Sequence, residues 1–335
     1  MATALHGARI FDGEQFHDHA AAVVDGRRVV GLVAAESIPA GARAVDLRSG
    51  ILAPGFIDVQ VNGGGGALLN DHPSASVVRT IAESHRRFGT TGMLPTVITD
   101  APPVMTAAIA AVRDARAAGA ASVLGIHIEG PFLDVARKGA HDSHFIREMT
   151  PEDVDIIANA GCGAVMLTLA PNRVAPALVA SLAKAGVRVS LGHSEAHYGE
   201  AMAALRAGAT SFTHLFNAMS QFTGREPGMV GAALAEGESF IGFIPDGHHV
   251  HDAALRLALS AASRRRFMIV TDAMPPAAGG PGTFTLQGRT VRRVNGRLEL
   301  EDGTLAGSNL TMDEALRHCV QQLGVPLQDA LQMAS

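Results

Sequence analysis

The sequence predicts an α/β protein built on a (β/α)8 TIM-type barrel, with a small β-sandwich-like module formed by its N-terminal segment. Two observations carry this prediction: eight short apolar runs recur after residue 54, and amphipathic or alanine-rich helical patterns follow several of them. Eight strands with interleaved helices over about 220 residues fit the size of such a barrel. The alternative is a doubly wound open sheet, which would bring a phosphate-binding fingerprint after its first strand. The glycine run at residues 63–66 lacks the spacing of that fingerprint.

The first 53 residues alternate short β segments with turn pairs such as Asp12-Gly13 and Asp25-Gly26, which predicts the small module. Residues 54–335 form the predicted barrel. Its strands are expected at residues 56–59, 92–97, 123–128, 164–169, 187–191, 210–213, 240–244 and 267–271. Helices are expected at residues 74–88, 102–118, 151–160, 175–185, 197–207, 251–262 and 312–323.

Residues 283–300 break the helical pattern and alternate like a β-meander, with Gln287-Gly288 and Asn295-Gly296 as turn signals. This predicts a β-ribbon inserted into the barrel. A last helical pattern opens near Pro326 and runs to Ser335 without a capping glycine. We therefore expect that the C-terminal part is missing and that the chain is a fragment or a truncated product.

The composition argues against several classes of protein. The chain has 335 residues, of which 47% are hydrophobic and 18% charged, too apolar for a disordered protein. No uncharged apolar run reaches the roughly 18 residues of a membrane span, and charged residues interrupt the N-terminus, so we expect a cytoplasmic protein without a membrane partner. The net charge of -5 and the scattered basic residues predict no nucleic-acid partner. Cys162 and Cys319 lack metal-binding spacing and are predicted core residues.

Four polar side chains follow predicted strands at their carboxyl ends: Glu129, His193, His214 and Asp272. Catalytic groups of a (β/α)8 barrel lie at that end, so we expect the four to converge. One carboxylate and two imidazoles leave a coordination position open for water, the pattern of a catalytic divalent metal site. Asp272 would then accept a proton. For any one of them the alternative is a hydrogen-bonded residue at a loop entrance, but four at four strand ends favour a site.

Seven motifs occur in order from about Leu52 onward: APGFIDVQVNGGGG, GIHIEGPFL, LGHSEA, THLFNAMS, GREPG, DGHHV and VTDAM. In these motifs the chain resembles the N-acetylglucosamine-6-phosphate deacetylases of the amidohydrolase superfamily. The combination of GHS and THLFNAM with GREPG is specific to that family. The resemblance implies a zinc-dependent hydrolase of amino-sugar metabolism that releases acetate from N-acetylglucosamine 6-phosphate and acts as a homodimer.

The resemblance also implies residue roles at the reacting end of the substrate. Glu129, His193 and His214 would be the metal ligands. Asp272 would act as general base and then general acid, and His141 would polarise the acetyl carbonyl.

Other residues would hold the sugar phosphate. His249 and Arg225 would bind the phosphate, Arg225 from the partner subunit of a dimer. Asn217 and Ala218 would contribute backbone contacts. A phosphate needs a fixed cationic fork, which a guanidinium offers. The alternative for Arg225 is a solvated loop charge paired with Glu226.

The chain departs from the superfamily pattern after the first strand. Gln60 and Asn62 stand where many amidohydrolases carry two histidines, and neutral amides are poor ligands for a transition metal. We therefore expect one divalent ion per chain, Zn²⁺, and an empty second position. Two other functions stay open: an amidohydrolase acting on another N-acyl or cyclic amide substrate, and a non-catalytic truncated relative. Arg225 and His249 favour a phosphorylated substrate over the first of these.

Overall fold

The chain begins with two small β-sheets in the computed structural model, which describes residues 1–335. Their strands are β1 (Thr3–His6), β2 (Arg9–Phe11), β3 (Phe16–His17), β4 (Ala20–Asp25), β5 (Arg28–Ala34), β6 (Arg43–Asp46) and β7 (Ile51–Leu52). One sheet has the order β5-β4-β1-β6 and the other β3-β2-β7. Ile10, Ala20 and Ala22 form a small apolar core for this module. The boundary of the module at residue 53 stays a prediction.

A parallel barrel follows the module. The chain forms β8 (Phe56–Val61), a short hairpin of β9 (Gly63–Gly64) and β10 (Ala67–Leu68), and then β11 (Thr90–Ile98), β12 (Gly125–Glu129), β13 (Ala164–Leu169), β14 (Arg188–Leu191), β15 (Ser211–Phe212), β16 (Phe240–Phe243) and β17 (Phe267–Ile269). Strands β8 and β11 to β17 pair with their neighbours in chain order, and every pair is parallel. The eight predicted barrel strands are confirmed.

The seam between the first and last barrel strands is closed by a few contacts beyond the end of β17. Val61 forms a parallel bridge with Ala273. The Thr271 hydroxyl donates a hydrogen bond of 2.5 Å to the buried Asp58 carboxylate, and the Thr271 N–H donates to the same side chain at 3.3 Å. These contacts bring the carboxyl ends of all eight strands into one ring.

Helices surround the barrel. They are α1 (Ala75–Arg86), α2 (Pro102–Ala117), α3 (Pro151–Ala158), α4 (Pro176–Lys184), α5 (Tyr198–Arg206), α6 (Gly228–Ala235), α7 (Asp252–Ala261), α8 (Met312–Gln321) and α9 (Leu327–Met333). Thr150 and Thr311 precede α3 and α8 as the N-cap residues of capping boxes. In each box the threonine side chain accepts a hydrogen bond from the backbone N–H three residues on, and the side chain of that residue accepts one from the threonine N–H. The predicted helices are present within a few residues of their expected ends. Helix α6 was not predicted, because its sequence GMVGAALA is buried over most of its length and has no polar face.

The predicted β-ribbon is present as three antiparallel strands. They are β18 (Thr283–Leu286), β19 (Arg289–Val294) and β20 (Arg297–Leu300). Gln287 and Asn295 both have φ of 51°, and a glycine with positive φ follows each, as two-residue hairpin turns require. The ribbon's buried face packs on the barrel mouth. Residues of the ribbon and the mouth together form one apolar cluster, which consists of Leu68, Ile98, Met274, Leu286, Val291, Leu298, Leu300 and Ala306.

Burial agrees with the prediction that the two cysteines are core residues. Cys162 and Cys319 are both buried free thiols. None of the helices is long and apolar enough to cross a membrane.

Candidate active site

Three of the predicted metal ligands meet at the mouth of the barrel. Glu129 is the last residue of β12, and His193 and His214 each follow the end of their strand by two residues. The Nε2 atoms of the two histidines are 3.0 Å apart. Glu129 Oε1 lies 3.3 Å from Nε2 of His193 and 3.1 Å from Nε2 of His214. All three residues are buried.

This triangle fits a small divalent cation. Ligand atoms at about 2.0–2.1 Å from a tetrahedral ion are spaced roughly 3.3 Å apart, close to the three distances observed. His193 Nδ1 lies 3.0 Å from the Arg137 carbonyl oxygen, so the ring proton belongs on Nδ1 and the Nε2 lone pair is left for a cation. Burial opposes ionisation of Glu129, but the two neighbouring imidazoles outweigh it and hold the pKa of its carboxyl well below the usual value.

Asp272 lies beside the triangle and is held by two amides. Asn62 Nδ2 donates to Asp272 Oδ1 at 2.6 Å, and Gln60 Nε2 donates to the same oxygen at 3.3 Å. The Gln60 amide also donates to Glu129 Oε1 at 3.0 Å, so it bridges the two carboxylates. Burial and the nearby charge of Glu129 raise the pKa of Asp272 to about 7. The group can therefore gain or lose a proton near neutral pH.

The sequence indicated only that Gln60 and Asn62 are poor ligands for a transition metal. In the structure both are buried hydrogen-bond donors to the carboxylates of the site. Their position at the end of the first barrel strand was the available signal. Their partners lie 69 to 212 residues away, so the hydrogen bonds themselves could not be read from spacing.

His141 lies against His193, with the two ring centroids 4.4 Å apart. It is buried, and its Nδ1 has no hydrogen-bond partner in the chain. Burial, followed by the neighbouring charge of His193, lowers the pKa of His141 to about 3. The ring is therefore neutral at ordinary pH and carries one N–H that can be donated without bringing a positive charge.

His127 lies two residues before Glu129 on β12, and both of its ring nitrogens are within hydrogen-bond distance of a partner. Its Nδ1 is 2.9 Å from the Val59 carbonyl oxygen, and its Nε2 is 2.8 Å from the Thr168 hydroxyl. Burial lowers the pKa of His127 to about 4. Both nitrogens are thus occupied inside the barrel, and neither is left for a cation.

One cavity of about 390 Å³ joins these groups to the other predicted site residues. Eight of the nine candidates line it: Glu129, His141, His193, His214, Asn217, Ala218, His249 and Asp272. Arg225 does not, because it lies exposed on the loop before α6. It also forms no ion pair with Glu226, whose carboxylate instead lies 3.3 Å from His197 Nδ1.

One part of the cavity, here called the anion end, favours anions. His249 Nδ1 lies 2.7 Å from Asp246 Oδ2. Burial works against a charged ring, but the hydrogen bond and charge of Asp246 outweigh it and raise the pKa of His249. The Asn217 N–H already donates to the His214 carbonyl at 3.0 Å, whereas no acceptor of the chain faces the Ala218 N–H. An imidazole whose charged form Asp246 favours and a backbone N–H without an acceptor therefore belong to the residues that line this part of the cavity.

The remaining wall of the cavity was missed by sequence reasoning. It comes from the loop after β12, the end of β11 and the segment that leaves the ribbon, and includes Ile98, Arg137, Met274, Thr304 and Leu305. The signal was the position of the ribbon, which is inserted after the last barrel strand and so borders the same mouth.

Residues 51–335 match the amidohydrolase family, and the chain belongs to it. Enzymes of this family depend on metal ions, in keeping with the Glu129, His193 and His214 triangle.

Individual relatives show to which group of amidohydrolases the chain belongs. The chain is 43% identical over 289 residues to the N-acetylgalactosamine-6-phosphate deacetylase of Shewanella sp. (strain ANA-3), covering 86% of this chain and 73% of that protein. It is 34% identical over 318 residues to the N-acetylglucosamine-6-phosphate deacetylase of Haemophilus influenzae, covering 94% and 83%. The crystal structure of N-acetylglucosamine-6-phosphate deacetylase from Pasteurella multocida matches with a TM-score of 0.96 and 34% identity, covering 100% of this chain and 88% of that one. Within the amidohydrolases, the chain belongs to the deacetylases of N-acetylated hexosamine 6-phosphates.

Proposed function

We propose that the protein hydrolyses the acetamide of N-acetylglucosamine 6-phosphate to give glucosamine 6-phosphate and acetate. One observation carries the proposal: a buried carboxylate–imidazole triangle and an anion-favouring end share one cavity. That combination suits a substrate with an amide at one end and a phosphate at the other. The family relationship supports it, since relatives with this activity are 34% identical over most of the chain.

Glu129, His193 and His214 would hold one divalent ion, which we propose to be Zn²⁺, since two imidazoles and a carboxylate suit this metal. Such an ion supplies Lewis-acid polarisation and lowers the pKa of water. We propose no second ion. The amides of Gln60 and Asn62 direct their N–H groups at the carboxylates and so take the place that two histidines would fill.

Asp272 is the proposed proton carrier. It accepts a proton from the attacking water as the water oxygen bonds to the carbonyl carbon. It returns that proton to the sugar nitrogen as the C–N bond breaks, which leaves acetate and a free amine. The pKa of Asp272 near 7 suits both halves of this exchange. His141 donates its N–H to the carbonyl oxygen, where negative charge develops.

The phosphate would lie at the anion end of the cavity. His249, whose charged form Asp246 favours, and the free Ala218 N–H would be the donors of this chain. Asn217 shapes the same wall. We further propose that Arg225 completes the site from the partner subunit of a homodimer, because its guanidinium is exposed, has no ion pair and lies outside its own chain's cavity.

N-acetylgalactosamine 6-phosphate is a second candidate substrate. The 43% identity to the Shewanella enzyme named for that substrate favours it. The two sugars share the acetamide and the phosphate and differ at one hydroxyl, so the chemistry proposed for the chain's residues is the same for both.

Acetate release by the purified, zinc-loaded chain tests the proposal. We expect turnover of both hexosamine 6-phosphates, and a large loss of kcat/KM for unphosphorylated N-acetylglucosamine. N-acetyl amino acids and cyclic amides serve as the comparison substrates. Preference for any of these over the phosphorylated sugars would contradict the proposed substrate, and no hydrolysis of any amide would favour a non-catalytic relative.

A further inference from the structure

The first turn of the ribbon contacts the loop that carries His141. Arg289 begins β19, and its Nη2 atom donates a hydrogen bond of 2.5 Å to the carbonyl oxygen of Ala140. Ala140 immediately precedes His141 and also packs against the ribbon's apolar cluster. The ribbon therefore holds Ala140 through both its carbonyl group and its methyl group.

The same turn is fixed to the barrel on its other side. Gln287 Nε2 donates a hydrogen bond of 2.6 Å to the Thr99 carbonyl oxygen, just beyond the end of β11. The Thr99 hydroxyl in turn donates to the backbone oxygen of Glu129 at 3.3 Å. The ribbon turn is thereby tied to the strand end from which Glu129 projects.

The His141 ring is buried against His193 but is not fixed by a hydrogen bond. Between β12 and α3 the chain forms only two single 3₁₀ turns, Val135–Arg137 and Ser143–Phe145. The N–H of His141 donates to the Lys138 carbonyl at 3.1 Å, but no hydrogen bond from the chain reaches its ring. The direction of the ring therefore depends on where the backbone of residues 139–141 is placed.

We propose that Arg289 is a positioning residue: by fixing the Ala140 carbonyl, it aims the His141 ring at the acetyl carbonyl of the substrate. This inference rests on the proposed role of His141. It assigns the ribbon a task in the reaction beyond forming a wall of the cavity. Displacing a reacting group by about 1 Å can cost about 10² in rate, so one hydrogen bond to a loop is enough to matter.

The test compares Arg289→Met, which keeps the length of the side chain but removes its donors, with Arg292→Met. Arg292 is the matched control, an exposed arginine on the same strand with no ion pair or side-chain hydrogen bond. For Arg289→Met we expect kcat to fall about tenfold or more while KM for N-acetylglucosamine 6-phosphate changes less than about threefold. Arg289→Lys, which keeps one donor, should recover most of the loss. Metal content should stay unchanged in all three.

A double variant distinguishes action through His141 from a general loss of structure. With His141→Gln already present, adding Arg289→Met should lower kcat by less than about twofold, because coupled residues are not additive. Amide hydrogen exchange of residues 139–142 should be faster in Arg289→Met and unchanged in Arg292→Met.

Three results would overturn the inference: a normal kcat in Arg289→Met, an equal loss in Arg292→Met, or a full additional loss in the His141→Gln background. If Arg289→Met does not fold, Arg289→Leu, which also lacks a donor, replaces it with the same expected loss. A normal kcat in His141→Gln alone would instead contradict the proposed function of His141, and an inactive wild type would contradict the proposed reaction.

Discussion

The two ends of the cavity are built differently. At the triangle end, Glu129, His193, His214 and Asp272 come from four barrel strands or the residues just after them, and one chain supplies every group. At the anion end the contacts come from loops, and the one exposed arginine of the predicted set lies outside the cavity. Strands of a closed barrel fix side chains more rigidly than loops do. In the proposed function, one chain therefore supplies the groups of the reacting end, and a partner subunit completes the phosphate end.

Two histidines show the same contrast in charge. His141 is buried with no carboxylate in contact, and burial lowers its pKa to about 3. His249 is buried too, but Asp246 lies 2.7 Å away and outweighs burial, so the pKa of His249 is raised. The neighbouring carboxylate thus favours the charged form of His249, whereas His141, which lacks one, is a neutral donor.

The largest effect on activity is expected when a metal ligand of the triangle is removed. We expect His193→Ala or His214→Ala to lose bound zinc and to release no acetate above background, because two remaining ligands bind a catalytic ion poorly. Metal analysis and an acetate assay on the same preparation check this. A variant that keeps both its zinc and its activity would show that the triangle is not the metal site.

The next effect concerns Asp272. Asp272→Asn should keep its zinc and its affinity for substrate but turn over at least about 10²-fold more slowly, the usual contribution of a proton carrier. Zinc content, KM and kcat are measured together. Near-normal turnover would remove Asp272 from the proposed mechanism.

Arg225→Ala addresses the other end. Loss of a charge-assisted contact of about 1.5–3 kcal/mol should raise KM for the phosphorylated sugar roughly 10- to 100-fold. KM for unphosphorylated N-acetylglucosamine should stay nearly constant, so this substrate is the control. An equal rise for both substrates would mean that Arg225 acts on the fold.

Mixing subunits tests whether the arginine crosses a dimer. A sample reassembled from Arg225→Ala and Asp272→Asn chains should regain part of the wild-type activity, since some sites then pair an intact Asp272 with an intact partner Arg225. Mixtures that stay as inactive as their components would place Arg225 in its own chain's site or outside the reaction.

The smallest expected effect is on metal stoichiometry. The wild type should reach full activity at a plateau near one zinc per chain, because Gln60 and Asn62 offer N–H groups where a second ion would need lone pairs. Replacing both with histidine should raise the plateau toward two, measured by metal analysis after gel filtration. Activity that requires a second equivalent in the wild type would contradict a single-ion site, and its ligands would have to be sought beyond His127, whose nitrogens are both engaged.

The barrel could be predicted because its strands are short apolar runs closed by turns and its functional residues sit where those runs stop. Other elements have too little sequence periodicity to be predicted. Strands β3 and β7 have two residues each, and α6 consists almost wholly of small or apolar residues. The paired amides and the Arg289 contact join segments 69 to 212 residues apart, and such contacts depend on tertiary packing that local periodicity does not report.

Three strand-end residues of the site have backbone conformations that favour glycine. The φ angles are 47° at His193, 31° at His214 and 52° at Asp272. A residue with a side chain in this region carries strain of about 1–3 kcal/mol, which the surrounding barrel must hold in place. Glycine would relax each position but has no imidazole or carboxylate to offer. Selection for stability alone would therefore favour glycine at these positions, and selection for the reaction would oppose it.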